Sequence, residues 1–313
     1  MTWLIPHCTP PQWPADIPAG RFAAGIRRGD PAGCRVALLG LPDDLGIRLN
    51  NGRPGAAEGP KAFRAALVRY GAASPCGWEY PAVFDAGDVI PADGSDENAL
   101  HETHRRVSEA VGEIMRRGLF PIAIGGGHDL TFPFVRGVIA YYRRANPKQR
   151  FEGAYFDAHL DVRDTVGSGM PFRRLVEACG VAALDLYGFS PFANTPAHLA
   201  WFLANGGRVQ GEGDESLAEP GAPGSLRFVS LDLDVVDASA APGVSAMNPC
   251  GLLPAAVAKL VEDAGRSPDV ACFDIMELSP RHDHEQRTAR LAAHMFLTFL
   301  RGLAGRWNAG GAS

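Results

Sequence analysis

Three short segments concentrate aspartate and histidine residues at spacings that favour metal binding. They read G-G-G-H-D at 125–129, D-A-H-L-D at 157–161 and S-L-D-L-D at 230–234. Each follows an apolar run typical of a β-strand, and residues two apart in an extended segment point to the same face. Several carboxylates and imidazoles can share a cleft only if a cation neutralises them. Oxygen and nitrogen ligands without thiolate favour Mn²⁺ or a similar divalent ion over structural zinc.

The sequence around these segments alternates between strand-like and helix-like stretches. Apolar runs without clean alternation indicate strands covered on both faces, at 35–40, 82–85, 119–124, 153–157, 184–188, 227–232 and 270–275. Helices are predicted at about 60–70, 95–117, 132–144, 195–204, 254–264 and 285–303. This order predicts an α/β fold of three layers, α/β/α, with a mostly parallel central sheet. Ligands of such sheets bind beyond the carboxyl ends of the strands, where all three segments fall.

The Pro/Gly-rich residues 1–34 are predicted to form an irregular N-terminal arm, and residues 35–313 a single domain. Within that domain, the Gly-, Glu- and Pro-rich stretch 206–225 is expected to be a long loop.

Composition excludes several classes of partner. The net charge is −5 and no basic stripe occurs, so no nucleic-acid partner is expected. No run of about 18 apolar residues is present, which excludes a membrane-spanning segment. The six cysteines are scattered without a C-x-x-C pair, and the N-terminal sequence does not resemble a signal peptide. We therefore expect a cytoplasmic protein with reduced thiols.

The three segments, in this order, resemble the signature motifs of the ureohydrolases, the family of arginase, agmatinase and formimidoylglutamase. The third agrees over S-L-D-L-D-V-V-D-A-S-A-A-P-G, and D-I-M-E-L-S-P at 274–280 resembles the segment whose glutamate contacts the substrate amidinium. The resemblance covers about residues 35–305 and implies an arginase-like fold. It also implies two Mn²⁺ ions per subunit, held by His128, Asp157, His159, Asp161, Asp232 and Asp234.

The resemblance further implies catalytic roles for Asp234 and Glu277. A hydroxide bridging the ions would attack the amidine carbon, while Asp234 orients it and carries a proton to the leaving amine. Glu277 would hold the cationic C–N group of the substrate in a charge-assisted pair. The charge balance independently favours two ions, because four carboxylates and two imidazoles overload a single one.

Finer features favour one subtype of the family. Arg163 follows the second motif, and S-G-M-P-F at 168–172 resembles the S-G-T-P-F segment of formimidoylglutamases, with Met170 in place of threonine. The stretches 42–60 and 287–293 also resemble that subfamily. Arginine suits a substrate carboxylate and would repel the doubly cationic agmatine. We therefore predict hydrolysis of N-formimidoyl-L-glutamate to L-glutamate and formamide, a step of histidine degradation.

Alternatives remain open for both function and residues. The alternative functions are a guanidino-acid ureohydrolase, of guanidinobutyrase, agmatinase or arginase type, and a non-catalytic metal-binding relative. Glu277 and Arg163 could instead form ordinary salt bridges, and Asp129 could either hold a ligand imidazole or cap a helix. The roles of Arg173 and Arg174 are not determined by the sequence. The family resemblance also implies a homo-oligomer.

Overall fold

The computed structural model describes residues 4–74, 77, 79–211, 216–218 and 222–309. Its sheet has nine strands in the order β1-β3-β2-β4-β9-β8-β5-β6-β7. The two-residue β1 pairs antiparallel with β3, and the other pairings in this sheet are parallel. The strands are β1 Cys8–Thr9, β2 Val36–Leu41, β3 Val83–Val89, β4 Phe120–Gly125, β5 Phe151–Phe156, β6 Leu184–Tyr187, β7 Gly207–Val209, β8 Leu226–Asp232 and β9 Val270–Met276.

Helices cover both faces of the sheet, because successive strand residues, which point to opposite faces, are both apolar. Leu38 of β2 packs in one core cluster with residues of α2, α7 and α8, whereas the adjacent Leu39 packs in a second cluster with residues of α3, α4 and α5. The predicted three-layer α/β/α fold is thereby confirmed. The α-helices are α1 Leu45–Leu49, α2 Gly59–Leu67, α3 Glu97–Arg116, α4 Thr131–Ala145, α5 Pro171–Cys179, α6 Pro196–Ala204, α7 Pro254–Arg266 and α8 Arg287–Ala309.

The predicted loop at 206–225 is wrong at its start, where residues 207–209 form the edge strand β7 beside β6. Residues 212–215 and 219–221 of that stretch lie outside the described residues. The predicted list also lacked α5, although its ends carry clear signals. Pro171 occupies the first turn, and Gly180 ends the helix at a φ of +61°.

Helix α8 begins at Arg287 instead of the predicted residue 285. Glu285 and Gln286 have φ values of +54° and +59°, which a right-handed helix does not allow. The cap is Asp283, whose carboxylate oxygens accept hydrogen bonds from the backbone N–H groups of Thr288 and Ala289, both at 3.0 Å.

The N-terminal residues contribute to the core. Ile5 and Ala23 are buried, and the indole N–H of Trp13 donates to Asp85 Oδ2 at 2.9 Å. Asp85 also accepts two hydrogen bonds from the buried guanidinium of Arg64, so the segment closes over a buried ion pair. Among the described residues, no helix combines the length and the apolar character required to cross a membrane.

The three motif segments leave the sheet at the carboxyl ends of strands that are close neighbours. Strands β4, β5 and β8 end directly before or within the three segments, and β9, which ends within the segment 274–280, lies between β4 and β8. The fold thus gathers residues separated by about half of the chain at one edge of the sheet, as predicted for an open parallel sheet.

Candidate metal centre

A glycine triplet positions His128 after β4. An added Cβ on Gly126 would lie 1.8 Å from the backbone oxygen of Asp43, so no larger residue fits there. The chain then enters a short 3-10 turn, His128–Leu130, and the His128 ring is directed toward the ends of β5 and β8. Gly126 therefore packs directly against the Asp43 backbone.

Three carboxylates converge on one nitrogen of the His128 ring. Its Nδ1 lies 3.1 Å from Asp157 Oδ2, 3.0 Å from Asp161 Oδ2 and 3.1 Å from Asp232 Oδ2. A single N–H cannot serve three acceptors, and Nδ1 makes no hydrogen bond of acceptable geometry with any described residue. The arrangement is therefore four ligand atoms around the place of a cation, rather than a hydrogen-bonded cluster.

A second group of ligand atoms lies beside the first. His159 Nδ1 is 3.2 Å from Asp157 Oδ1 and 3.1 Å from Asp234 Oδ2. Asp157 thus directs one oxygen into each group. Within each group the ligand atoms all lie within 4.8 Å of one another. The structure brings all six sequence-predicted ligands together in two groups that share the Asp157 carboxylate.

The electrostatics of the cluster favour cations. Burial, and then the charges of Asp161 and Asp234, raise the pKa of Asp157, while burial followed by Asp234 and Asp157 raises that of Asp232. Burial alone would lower the pKa of His128, but the surrounding carboxylates of Asp157, Asp161 and Asp232 outweigh burial and raise it. Without a cation, protons must therefore neutralise the cluster. Divalent ions fit these donors, because Asp157 Oδ2 and Asp234 Oδ1 are also buried without hydrogen-bond partners among the described residues.

A buried polar chain fixes the other side of the His128 ring. Its Nε2 lies 3.0 Å from Ser230 Oγ, and the Ser230 hydroxyl donates to Asp274 Oδ1 at 2.6 Å. Burial raises the pKa of Asp274 to about 7. With Nε2–H donating to Ser230, the lone pair of Nδ1 is directed at the carboxylates, as metal binding requires. Sequence reasoning missed Asp274, whose signal was a carboxylate within an otherwise apolar strand.

Glu277 follows β9 and is directed into the same cleft. Its φ of +66° is rare for a residue other than glycine, and its Oε1 accepts a hydrogen bond from the backbone N–H of His128 at 2.9 Å. Oε2 is buried without a partner in the described part of the chain. Burial, together with the charge of Asp234, raises the pKa of Glu277 to about 8. The side chain therefore presents one unsatisfied oxygen beside the metal ligands, and the alternative of an ordinary salt bridge has no partner among the described residues.

Arg163 is exposed just beyond the second motif. Its backbone N–H donates to the Gly169 carbonyl at 2.8 Å, which closes the loop 163–169. An added Cβ on Gly169 would lie 2.9 Å from Arg163 Cδ, so the side chain passes directly over that glycine. No ion pair of Arg163 occurs in the described ranges, and the alternative of a structural salt bridge is therefore unsupported.

The residues around α5 make structural contacts. Met170 is buried in a small apolar cluster with Leu45 and Leu100. Arg173 donates to Glu177 at 2.8 Å, and its guanidinium lies 4.9 Å from the centre of the Trp201 ring. Arg174 donates to the Asp164 carbonyl at 3.3 Å.

Asp129 has neither of the two predicted roles. Its Oδ2 lies 2.8 Å from Nε2 of His104, which belongs to α3 and to neither ligand group. Both side chains are buried, and the helix that follows makes no side-chain cap bond to Asp129. The pair ties the His128 turn to α3.

The model of the arginase family matches residues 34–301. The chain belongs to the arginase family. The family resemblance of the three motifs is thus confirmed. This arginase-family chain is 32% identical over 293 residues to a formimidoylglutamase of Aromatoleum aromaticum, covering 87% of this chain and 84% of that protein. It is 34% identical over 283 residues to a formimidoylglutamase of Rhodococcus jostii, covering 85% and 84%.

Two solved structures share the fold of this chain. Trypanosoma cruzi formiminoglutamase with Mn²⁺ superposes with a TM-score of 0.79 at 29% identity, covering 93% of this chain and 100% of that chain. Proclavaminate amidino hydrolase of Streptomyces clavuligerus superposes with a TM-score of 0.74 at 26% identity, covering 92% and 98%.

Proposed function

We propose that this arginase-family protein is a manganese-dependent formimidoylglutamase, with residues 35–313 as its catalytic domain. It hydrolyses N-formimidoyl-L-glutamate to L-glutamate and formamide in histidine degradation. The observation that carries the proposal is the pair of ligand groups sharing Asp157, with the unpaired Glu277 oxygen beside them. The relatives named formimidoylglutamase and the Mn²⁺-containing T. cruzi structure support the substrate and the metal.

Two Mn²⁺ ions fit the two ligand groups. His128, Asp157, Asp161 and Asp232 would hold one ion, and Asp157, His159 and Asp234 the other. When bound, such ions supply a water-derived nucleophile at neutral pH and neutralise the carboxylates. Asp234 belongs to the second group and has a buried oxygen without a hydrogen-bond partner among the described residues. We assign to that carboxylate the proton that passes to the departing glutamate nitrogen.

Glu277 and Arg163 would bind opposite ends of the substrate. The unpaired Oε2 of Glu277 accepts a charge-assisted hydrogen bond from the amidinium, whose positive charge favours the ionised carboxylate. The exposed Arg163 pairs with a carboxylate of the glutamate part. Held in this way, the amidine carbon is presented to water, the oxygen adds to that carbon, and its bond to the glutamate nitrogen breaks.

The proposal is tested by comparing substrates with one Mn²⁺-loaded preparation. We expect formamide release from N-formimidoyl-L-glutamate and much slower urea release from arginine, agmatine and 4-guanidinobutyrate. Preferential urea release would retain the metal chemistry but contradict the substrate and indicate the guanidino-acid alternative. Full Mn²⁺ binding without hydrolysis of any of the four would favour the non-catalytic alternative.

We further propose that the protein acts in the cytoplasm as a homo-oligomer. The free thiols of Cys8, Cys34, Cys179, Cys250 and Cys272 support a reducing compartment. Size-exclusion chromatography with light scattering measures the assembly.

A further inference from the structure

Asn194 differs from its neighbours in the loop between β6 and α6. Pro191, Phe192 and Ala193 of this loop are exposed, whereas Asn194 is half-buried. Its side chain is directed at the backbone of the second motif, residues 157–161, and not at solvent. An amide that turns inward from an exposed loop indicates a specific backbone partner.

The Asn194 amide makes three hydrogen bonds of 2.8 Å. Its Oδ1 accepts from the Leu160 N–H, while its Nδ2 donates to the carbonyl oxygens of Ala158 and Ser190. The Ser190 N–H also donates to the Ala158 carbonyl at 3.0 Å. Both the oxygen and the nitrogen of the amide are therefore used, and two of the three bonds join Asn194 to the turn 157–161.

The turn needs such support because its backbone is unusual. Asp161 has a φ of +47°, a region that residues other than glycine seldom occupy and keep only when their surroundings hold them. The same turn sends two successive ligands in different directions. Asp161 lies in the group of His128, whereas His159 lies in the group of Asp234. Leu160, whose N–H Asn194 binds, is the residue between them.

From this geometry we infer that Asn194 is a positioning residue that distributes His159 and Asp161 between two metal sites. Its three hydrogen bonds go to backbone groups and not to ligand atoms, so it acts through the Ala158 and Leu160 backbone. The inference rests on the proposed metal centre but not on the identity of the substrate. Its test can therefore be read from metal binding alone.

The first variant is Asn194→Ala, which removes all three hydrogen bonds. Loss of an outer partner typically lowers metal affinity by about 10–100-fold, and we expect that loss for Mn²⁺, measured by competition with a chelator. The electron paramagnetic resonance signal of the coupled ion pair should weaken in parallel. Asn205→Ala is the matched control, because among the described residues the Asn205 side chain donates only to the Trp201 carbonyl, at the C-terminal end of α6. That variant should bind Mn²⁺ like the unchanged protein.

Asn194→Asp keeps the test decisive if the alanine variant does not fold. Its carboxylate still accepts from Leu160 but loses both donated bonds and places an oxygen against the Ala158 and Ser190 carbonyls, so a loss of affinity is again expected. Unchanged affinity and coupling in the variants that fold would overturn the inference, as would an unchanged protein that binds no Mn²⁺. An unchanged protein that binds two ions but releases no formamide would contradict only the proposed function.

Discussion

Arg163 and Glu277 have opposite environments, which suits opposite ends of one substrate. Glu277 is buried with one oxygen bonded to the His128 backbone and the other without a partner among the described residues, whereas Arg163 is exposed. A buried carboxylate gains most from a cation that enters with the substrate, since burial alone disfavours its charge. An exposed guanidinium keeps its hydration until a carboxylate arrives, so it contributes more to selection than to chemistry.

We expect Arg163→Ala to raise the KM for N-formimidoyl-L-glutamate by about tenfold or more, as loss of a charge-assisted hydrogen bond worth about 1.5–3 kcal/mol predicts. The Mn²⁺ content should not change, because Arg163 contacts no ligand atom in the described residues. Steady-state kinetics beside metal analysis checks both. The control is Arg173→Ala. The guanidinium of Arg173 bonds Glu177 and lies over the Trp201 ring. An unchanged KM in Arg163→Ala would remove the main residue-level reason for a dicarboxylate substrate.

At the scale of elements, the turns after the strands determine the site more than the strands do. Gly126 packs against the Asp43 backbone, and the turn that follows directs the His128 ring toward the ends of β5 and β8. The strands end at the same edge of the sheet, but the turns determine which ligand atoms lie close together.

Gly126→Ala should therefore destabilise the protein by about 1–3 kcal/mol, as overpacking of a dense site does. It should also reduce Mn²⁺ binding at the His128 group. Gly112→Ala is the control in the C-terminal part of α3, where an added Cβ meets nothing within 4 Å. That change should stabilise the protein by about 0.5–1 kcal/mol. Chemical denaturation and metal analysis measure both, and equal effects of the two substitutions would contradict this interpretation.

The sequence predicted those elements whose signal is local. The apolar runs of β4, β5 and β8 predicted one shared edge for the three motifs, and the two-residue spacing predicted that the aspartates and His159 of the second and third motifs converge. The full set of six ligands, with His128, came from the family resemblance. The strand β7 was not predicted, because three residues at a sheet edge carry no periodicity of their own. The Asp274–Ser230 contact and the hydrogen bonds of Asn194 were also missed. Their partners are distant in sequence, and no local sequence pattern indicates such contacts. Asp129 was misinterpreted for the same reason, because its partner His104 lies on α3.

At the scale of the whole molecule, the candidate metal centre buries several carboxyl groups whose ionised forms are unfavourable inside the fold. An acid whose pKa is raised in the folded state keeps its proton there over a range in which the unfolded chain has lost it. For Glu277 that range extends from its ordinary pKa of 4.5 to about 8. The folded state thus binds more protons in this range, and stability falls as pH rises through it. His128 and His159, whose pKa values are also raised, act in the same direction, because they lose favourable pairing as they deprotonate.

The metal-free protein should therefore become less stable between about pH 5 and pH 8, with Tm falling roughly 2–4 °C for each kcal/mol lost. Mn²⁺ should remove most of this dependence, because the ions replace the protons. Scanning calorimetry over the pH range, with and without Mn²⁺, measures the difference. In Glu277→Gln the slope of the metal-free protein should be shallower. A metal-free Tm that rises with pH over this range would contradict the account.

The strand order has a consequence for how the protein is made on the ribosome. Strand β9, the last strand in the chain, lies between β4 and β8, and so joins the half-sheet β1-β3-β2-β4 to the half-sheet β8-β5-β6-β7. Until residues 270–276 have left the exit tunnel, each half has an open edge with unpaired backbone groups, a known template for misassociation. A prematurely released chain that ends before β9 would have every His and Asp ligand but no strand to join the halves that carry them. Completion of the sheet, and with it the approach of His128 to Asp157, Asp161 and Asp232, belongs to the final stage of synthesis.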